Sequence, residues 1–302
     1  MLLDSASLYF RAFFAYRDHD ALRAGDGTVV NALRGMVEFV ATLATTHRPD
    51  VIVACWDEDW RPQWRVDLIG TYKTQRAAGD GSEIDTTEGL LGPQVPLIAE
   101  VLGLLGIPVV GAAGFEADDV IGTLATHAEG PVDIVTGDRD LFQLVDDDRG
   151  VRVIYPAIGG VRDAQVVTGE WMVGKYGVRP DQYVDYSVMR GDASDGLPGV
   201  PGIGEKTAAA LLAEFADLDG ILAAAADPES SIKPRPRASL LASADYIAAA
   251  REVVAVRRDA VPVTAYALSP IDEPALRAFG DQWSLGSVID RAVAALTPTR
   301  DP

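Results

Sequence analysis

Four short apolar segments of this chain are each followed by carboxylates. Met1-Leu2-Leu3 is followed by Asp4, and Val51-Ile52-Val53-Ala54-Cys55-Trp56 by Asp57. Pro108-Val109-Val110 leads to Glu116, Asp118 and Asp119; Val132-Asp133-Ile134-Val135-Thr136-Gly137 leads to Asp138 and Asp140. Residues 151–155 are a fifth strand candidate, and helical patterns lie near 29–45, 96–105 and 117–128. Strands alternating with helices predict an α/β fold with a mostly parallel sheet. Ligands of such sheets bind beyond the carboxyl ends of the strands. The acids therefore sit where a ligand belongs, and a solvated face would not place them so regularly.

Local spacing refines the picture. Glu116 and Asp119 are three residues apart and share a helix face if the helix begins by Glu116, with Asp118 on the neighbouring face. The helix dipole favours acids in a first turn, but one acid would satisfy a cap and three in four residues exceed that need. Asp138 and Asp140, one residue apart, suit an extended loop aimed at one point, with Gly137 allowing the tight backbone. Asp192 and Asp195, in Arg190-Gly191-Asp192-Ala193-Ser194-Asp195-Gly196, read equally as a turn and as a further ligand pair. Asp146-Asp147-Asp148 has no strand before it and reads as a solvated loop.

Nine clustered carboxylates cannot all be ionised without compensation. Oxygen-only donors favour Mg²⁺ or Mn²⁺ over Zn²⁺. Two such ions about 4 Å apart are the usual apparatus for in-line attack on a phosphodiester. The rest of the composition leaves few other routes. One cysteine, Cys55, excludes an intramolecular disulfide framework and a Cys-based zinc site, and reads as a buried core residue. The scattered His19, His47 and His127 give a histidine-driven triad little to build on. A net charge of −19 argues against coating nucleic acid through bulk basic charge; bound metal would supply positive charge at a reacting phosphate. The N-terminus lacks the pattern of a signal peptide, and no window approaches 18 apolar residues. A cytoplasmic protein is the expectation.

After about Ala164 helical patterns dominate, at 207–215, 218–226, 238–256 and 273–279. Gly199-Val200-Pro201-Gly202-Ile203-Gly204-Glu205-Lys206-Thr207 permits a tight hairpin whose N–H groups, with the following helix N-terminus and Lys206, can hold a phosphate; an ordinary helix–helix turn is the plainer alternative. It is not a Walker A loop, because the glycine spacing and preceding strand are wrong. Arg61, Arg65, Tyr72, Lys73 and Arg76, with Trp60 and Trp64 interleaved, roughly follow helical spacing and suit phosphate gripping and base stacking, with a solvated helix carrying core tryptophans as the alternative. Lys233-Pro234-Arg235-Pro236-Arg237 reads as a solvated connector between helices, with a phosphate contact as the alternative. Residues 75–92 form a Gly-rich interruption of the α/β rhythm.

Three blocks, in order, resemble a known family: Gly114-Phe115-Glu116-Ala117-Asp118-Asp119-Val120-Ile121-Gly122-Thr123-Leu124-Ala125, Thr136-Gly137-Asp138-Arg139-Asp140-Leu141-Phe142-Gln143-Leu144, and Gly191-Asp192 through Lys206-Thr207-Ala208. They are similar to the bacterial 5′→3′ exonucleases and flap endonucleases, the nuclease domain of DNA polymerase I and its free-standing relatives. Asp4 with Arg11-Ala12-Phe13-Phe14, and Asp57 with Tyr72-Lys73, fit the same pattern.

The resemblance implies a resolvase-like (PIN-like) nuclease domain over 1–165, with an arch segment at about 60–95. A helical DNA-binding domain with a helix–hairpin–helix element would follow over 166–302. It implies metal ligation by Asp4, Asp57, Glu116 and Asp118 on one side and Asp138, Asp140, Asp192 and Asp195 on the other, with Asp119 close to both. Lys73 and Arg76 would be catalytic, at the base of an arch through which the 5′ strand passes. Arg11, Tyr72, Gly199, Gly202, Gly204, Lys206 and Thr207 would contact DNA, and the carbonyls of Val200 and Ile203 would hold a monovalent cation such as K⁺. The implied activity is Mg²⁺- or Mn²⁺-dependent cleavage by a monomer of DNA bearing 5′ flaps, nicks or 5′ ends, in replication and repair. Three departures stand out: a cation-poor arch, Gly196 where relatives commonly carry Asn, and an abrupt start three residues before Asp4 that suggests a shortened N-terminus. No polymerase portion is present, so a free-standing enzyme is expected. The rivals are a single-strand RNA nuclease on the same fold and a non-catalytic junction-binding protein.

Overall fold

The computed structural model describes residues 1–15, 22–74 and 89–297 of the 302-residue chain. Its sheet comprises β1 (Leu2–Asp4), β2 (Val53–Cys55), β3 (Val109–Val110), β4 (Val132–Val135), β5 (Val151–Tyr155) and β6 (Gln165–Val167), in spatial order β3-β2-β1-β4-β5-β6. The first five run parallel, with Asp4 opposite Cys55 and Leu3 opposite Val135. Only β6 is antiparallel, with Val153 opposite Val167. β1 is therefore central, and whatever follows β2 and β4 flanks whatever follows β1. The sheet does not stop at residue 165, because β6 runs across that position.

Strand alternation explains the two cores. Leu2 packs on one face with Val53, Ile134 and Val153, while Leu3 packs on the other with Ala54, Val135 and Ile154. The Leu3 face is covered by α1 (Ser5–Phe14), α2 (Asn31–His47) and α4 (Gln94–Leu104). The Leu2 face is covered by α5 (Ala117–His127) and by the helical half. Between β2 and α4 stands the short α3 (Gln63–Leu68). Gly35 lets α2 approach α1 closely, since a Cβ there would lie 2.7 Å from Ala12 Cβ.

The helical half comprises α6 (Gly169–Tyr176), α7 (Tyr183–Arg190), α8 (Glu205–Phe215), α9 (Leu218–Ala226), α10 (Pro234–Ala242) and α11 (Ala244–Val254). Its core is continuous with that of the sheet face. The segment after α11 forms the joint: Gln143 donates to the Val254 carbonyl at 3.0 Å and accepts from the Val256 N–H at 3.0 Å. α12 (Glu273–Gln282) and α13 (Ser287–Leu296) then return to the first half, where α13 packs on α2 and Arg291 pairs with Glu38 at 2.8 Å. Two sequence readings are revised here. The single helix expected over 238–256 is two, divided at Ser243. The basic connector is not a loop: Pro234 is at the start of α10, where a missing N–H costs nothing, and Arg237 donates to Pro228 and Ser230. The Asp146–Asp148 run is the solvated loop expected, a turn with Asp147 and Asp148 exposed and Asp147 accepting from the Gly169 N–H. Cys55 is buried.

Candidate active site

Asp4 is both the last residue of the central strand and the cap of the helix that follows it. One carboxylate oxygen accepts from the Ser7 N–H at 3.1 Å and the other from the Thr136 hydroxyl at 2.6 Å. Asp57, beyond β2, accepts from the Ala117 N–H at 2.6 Å and so fixes the start of α5. Thr136 in turn accepts from the Asp138 N–H at 2.8 Å, and Asp138 accepts from the Asp140 N–H at 2.8 Å. Neighbouring strand ends are thus tied together by the acids themselves. Asp4, Asp57, Glu116, Asp118, Asp138 and Lys73 line one cleft of about 710 Å³, together with the exposed aromatics Phe10, Phe14 and Trp60.

Charge crowding marks this cleft. Burial pushes Asp4 up from an ordinary value of 3.8 to about 7, with Asp57 and Asp138 adding to the shift and the Thr136 and Ser7 hydrogen bonds opposing it. Asp118 is raised well above its usual range by desolvation and by Asp138, Asp4 and Glu116. Asp140 is raised likewise, by desolvation and then by Asp138, Asp195 and Asp192. Asp138 therefore links the two groups of acids. Asp192 behaves differently: although burial opposes it, hydrogen bonds from Ser194 and the nearby Arg190 and Arg139 hold it below the carboxylate range. As placed, no three acidic, histidine or cysteine side chains among the described residues form a closed metal-binding group. The donor set is nonetheless all oxygen and mutually repulsive, and that chemistry fits hard divalent cations.

Glu116 forms the floor. It is buried, accepts from the Tyr72 hydroxyl at 3.0 and 3.1 Å and from Lys73 Nζ at 2.9 Å, and lies 3.3 Å from Arg65. Burial still raises its carboxyl, with Lys73 and Arg65 opposing. Tyr72 is buried, and its hydroxyl faces the Glu116 carboxylate. Desolvation pulls on the Lys73 ammonium, but Glu116, Asp195 and Asp118 outweigh it and the ammonium is raised.

Two sequence readings need correction. Asp119 stands apart from the other acids: Arg65 donates to both its oxygens at 2.8 and 2.7 Å, and the N–H groups of Glu116 and Arg257 take the remaining positions at 3.2 and 2.8 Å. Four donors leave its carboxylate committed to the scaffold rather than to a metal. Arg65 is equally committed, and Arg61 donates to the Tyr72 and Gly70 carbonyls. The expected phosphate-gripping row is therefore reduced, among the described residues, to Lys73. Arg76 lies outside the described residues, as do residues 75–88 of the expected arch segment. Sequence reasoning missed Arg65 as a scaffold residue, because its partner is 54 positions away.

Arg11, on α1, reaches to the side of Gly137, and its Nε is buried with no hydrogen-bond partner among the described residues. The hairpin between α7 and α8 is a second feature at this end of the helical half. Gly199 and Gly202 take φ of 71° and 80°, and Gly202 and Gly204 are exposed with open space around them. Gly199 donates to the Tyr246 hydroxyl at 3.0 Å, which anchors the turn. Val200 and Ile203 bury their side chains, and the Val200 carbonyl accepts from Ile203 at 3.0 Å. Lys206 is exposed and Thr207 half-buried in the first turn of α8.

Residues 1–177 match the model for the 5′-3′ exonuclease N-terminal resolvase-like domain, and 178–274 that for the 5′-3′ exonuclease C-terminal SAM fold. A 5′-3′ exonuclease of Streptomyces coelicolor is 52% identical over 303 residues, covering 98% of this chain and 100% of that one. One from Mycobacterium tuberculosis is 46% identical over 275 residues, covering 87% and 85%. The DNA polymerase I of Mycobacterium bovis is 40% identical over 262 residues, which span 86% of this chain and 27% of the polymerase. Among solved structures, T5 5′-exonuclease with bound divalent metal ions (zinc) superposes with a TM-score of 0.68 at 18% identity, covering 98% of this chain and 97% of that one. Flap endonuclease-1 from Methanococcus jannaschii gives 0.61 at 14%, covering 98% and 92%. At those identities the structures speak for the fold.

Proposed function

Because the chain belongs to the 5′-3′ exonuclease family, we propose that it is a divalent-metal-dependent, structure-specific 5′ nuclease acting as a cytoplasmic monomer on DNA with 5′ flaps, nicks or 5′ ends. The observation that carries this reading is the convergence of acids from beyond separate parallel strands on one cleft beside a buried lysine. Asp4, Asp57, Glu116 and Asp118 would hold one Mg²⁺ or Mn²⁺, and Asp138, Asp140, Asp192 and Asp195 the other. Bound there, the metals supply a water activated for attack and charge neutralisation at the departing oxygen.

The chain's own residues do the rest. Lys73 presents its ammonium at the cleft floor, where Glu116 holds it, and orients the scissile phosphate as negative charge builds. Arg76, which the family resemblance pairs with Lys73, would share that task. Arg11, with a buried N–H unused, donates to a backbone phosphate. The exposed N–H groups around Gly202 and Gly204, with Lys206 and Thr207, hold duplex phosphates without reading sequence. The Val200 and Ile203 carbonyls serve a monovalent cation such as K⁺. The test is cleavage of an end-labelled 5′-flap DNA with Mg²⁺, with Mn²⁺ and with chelator. Metal-dependent release of the flap with a 3′-hydroxyl on the released strand is expected; uncut DNA at every metal concentration, or preference for plain single-stranded RNA, would overturn the reading.

A further inference from the structure

We propose that Gly196 and Thr71 are positioning residues that fix where the Lys73 ammonium stands, so that the loop carrying Asp192 and Asp195 and the phosphate-facing cation form one mechanical unit. This rests on the role assigned to Lys73. The starting observation is backbone geometry. Lys73 has φ of 50°, a left-handed conformation that an L side chain holds only when its surroundings impose it. What imposes it is the loop from the other half of the chain. The Lys73 N–H donates to the Asp195 carbonyl at 2.9 Å, and the Thr71 hydroxyl donates to the Gly196 carbonyl at 2.8 Å.

Gly196 is what permits the two backbones to meet. Its φ is 71°, and a Cβ at this position would stand 2.0 Å from the Thr71 carbonyl oxygen, 2.8 Å from its carbon and 3.5 Å from the Lys73 nitrogen. An Asn tolerates the left-handed backbone, yet its Cβ would meet the same oxygen. The glycine in this chain therefore corresponds to closer docking of residues 71–73 than any side chain at 196 allows. The loop is stiff enough to act as a platform. Asp192 and Leu197 exchange N–H to carbonyl bonds of 2.9 and 2.8 Å, and the Asp192 carboxylate accepts from the Ser194 N–H at 2.9 Å.

Lys73 thus spans the two acidic groups: its backbone is held by Asp195 and its ammonium, 2.9 Å from Glu116, lies in the cleft. Thr71 is exposed, so its contact with Gly196 buries no apolar surface. The contact sets a position, and a shift at 196 is transmitted to Nζ through two residues of constrained backbone.

The experiment is a double-mutant cycle in single-turnover cleavage of a 5′-flap DNA, with flap affinity measured separately by anisotropy in Ca²⁺. Gly196→Ala should slow cleavage about 10- to 100-fold, the scale on which a misplacement of about 1 Å acts. Affinity should stay within about twofold. In a Lys73→Ala background, Gly196→Ala should add less than about twofold, because a residue acting through Lys73 has nothing left to move. Thr71→Val should show a smaller loss with the same non-additivity, and it decides the matter if Gly196→Ala does not fold. Multiplying effects, or a loss in affinity alone, would overturn the proposal while leaving the role of Lys73 standing. If Lys73→Ala itself cleaved at the normal rate, the role of Lys73 would fall and the positioning proposal with it.

Discussion

Arg65 and Asp119 meet as a fork, with N–O distances of 2.8 and 2.7 Å, and both side chains are shielded from solvent. The fork fastens α3 to α5, and the other bonds of the two residues extend it: Arg65 Nε donates to the Val253 carbonyl at 3.1 Å, and Asp119 accepts from the Arg257 N–H at 2.8 Å. A scaffold ion pair thus lies directly behind Glu116. Removing one member leaves an uncompensated buried charge, which costs about 3–5 kcal/mol, whereas replacing both by apolar groups costs far less. Arg65→Ala should therefore lower unfolding free energy by that amount in urea titrations, and Arg65→Met with Asp119→Leu should recover only part of it, because the Glu116 and Arg257 N–H groups and the Val253 carbonyl lose their partners. Equal losses in the single and double variants would mean that the pair is held by packing alone.

Asp140→Asn isolates charge from shape in the acid cluster. Desolvation and the neighbours Asp138, Asp195 and Asp192 raise the Asp140 carboxyl, so a neutral amide should leave the metal-free fold intact or more stable at pH 8. Cleavage should nevertheless fall by at least about 100-fold, the upper range for disturbing groups around a metal. Circular dichroism with flap cleavage checks both halves; normal turnover would remove Asp140 from the metal set.

The raised Asp4 also sets a pH dependence. Its folded value of about 7 lies above the ordinary 3.8, so burial disfavours the charged form. The stabilisation from holding the neutral acid is complete below about 3.8 and is lost as pH rises through about 7. In chelator, thermal stability should fall between about pH 4 and pH 7, by at most on the order of 4 kcal/mol for this group, with most of the loss past by pH 8. Mg²⁺ should restore it, with a midpoint shift that grows as pH rises. A Mg²⁺ shift that is the same at pH 5 and pH 8 would contradict the assignment.

The strands were readable because short apolar runs alternate with helical patterns, and their acids because carboxylates follow four of those runs. The β3–β5 bounds fell close to the apolar runs for this reason. What escaped was determined by partners remote in sequence. α1 follows β1 with no turn residues between, so Leu8 and Phe13 read as one apolar stretch. β6 is three residues long and is specified only by pairing with β5. Pro234 reads as a linker until its place at a helix start is seen. Asp119 shares a helix with Asp118 and differs from it only in facing Arg65, which no local spacing reveals.

Lys73→Ala separates binding from catalysis. The ammonium is anchored to Glu116 at 2.9 Å, so it is preorganised and gains most where charge develops. The rate constant should fall about 10²- to 10³-fold, the scale of losing one such donor, with KM changed by less than about threefold. A loss confined to KM would make Lys73 an anchor for the strand.

Lys206 supplies the contrasting case. It is exposed at the start of α8, beside the open glycines of the hairpin, and has no shape to complement. A cation of this kind acts by displacing counterions from a phosphate, a contribution that depends on salt and not on the transition state. Lys206→Ala should weaken binding to flapped DNA of any sequence by a similar factor and flatten the plot of log affinity against log salt by about one unit. The single-turnover rate on saturating DNA should be unchanged. If the slope stayed the same while the rate fell, the hairpin would have to reach the cleft, and the division of labour between a phosphate-holding turn and a metal-holding sheet edge would not stand.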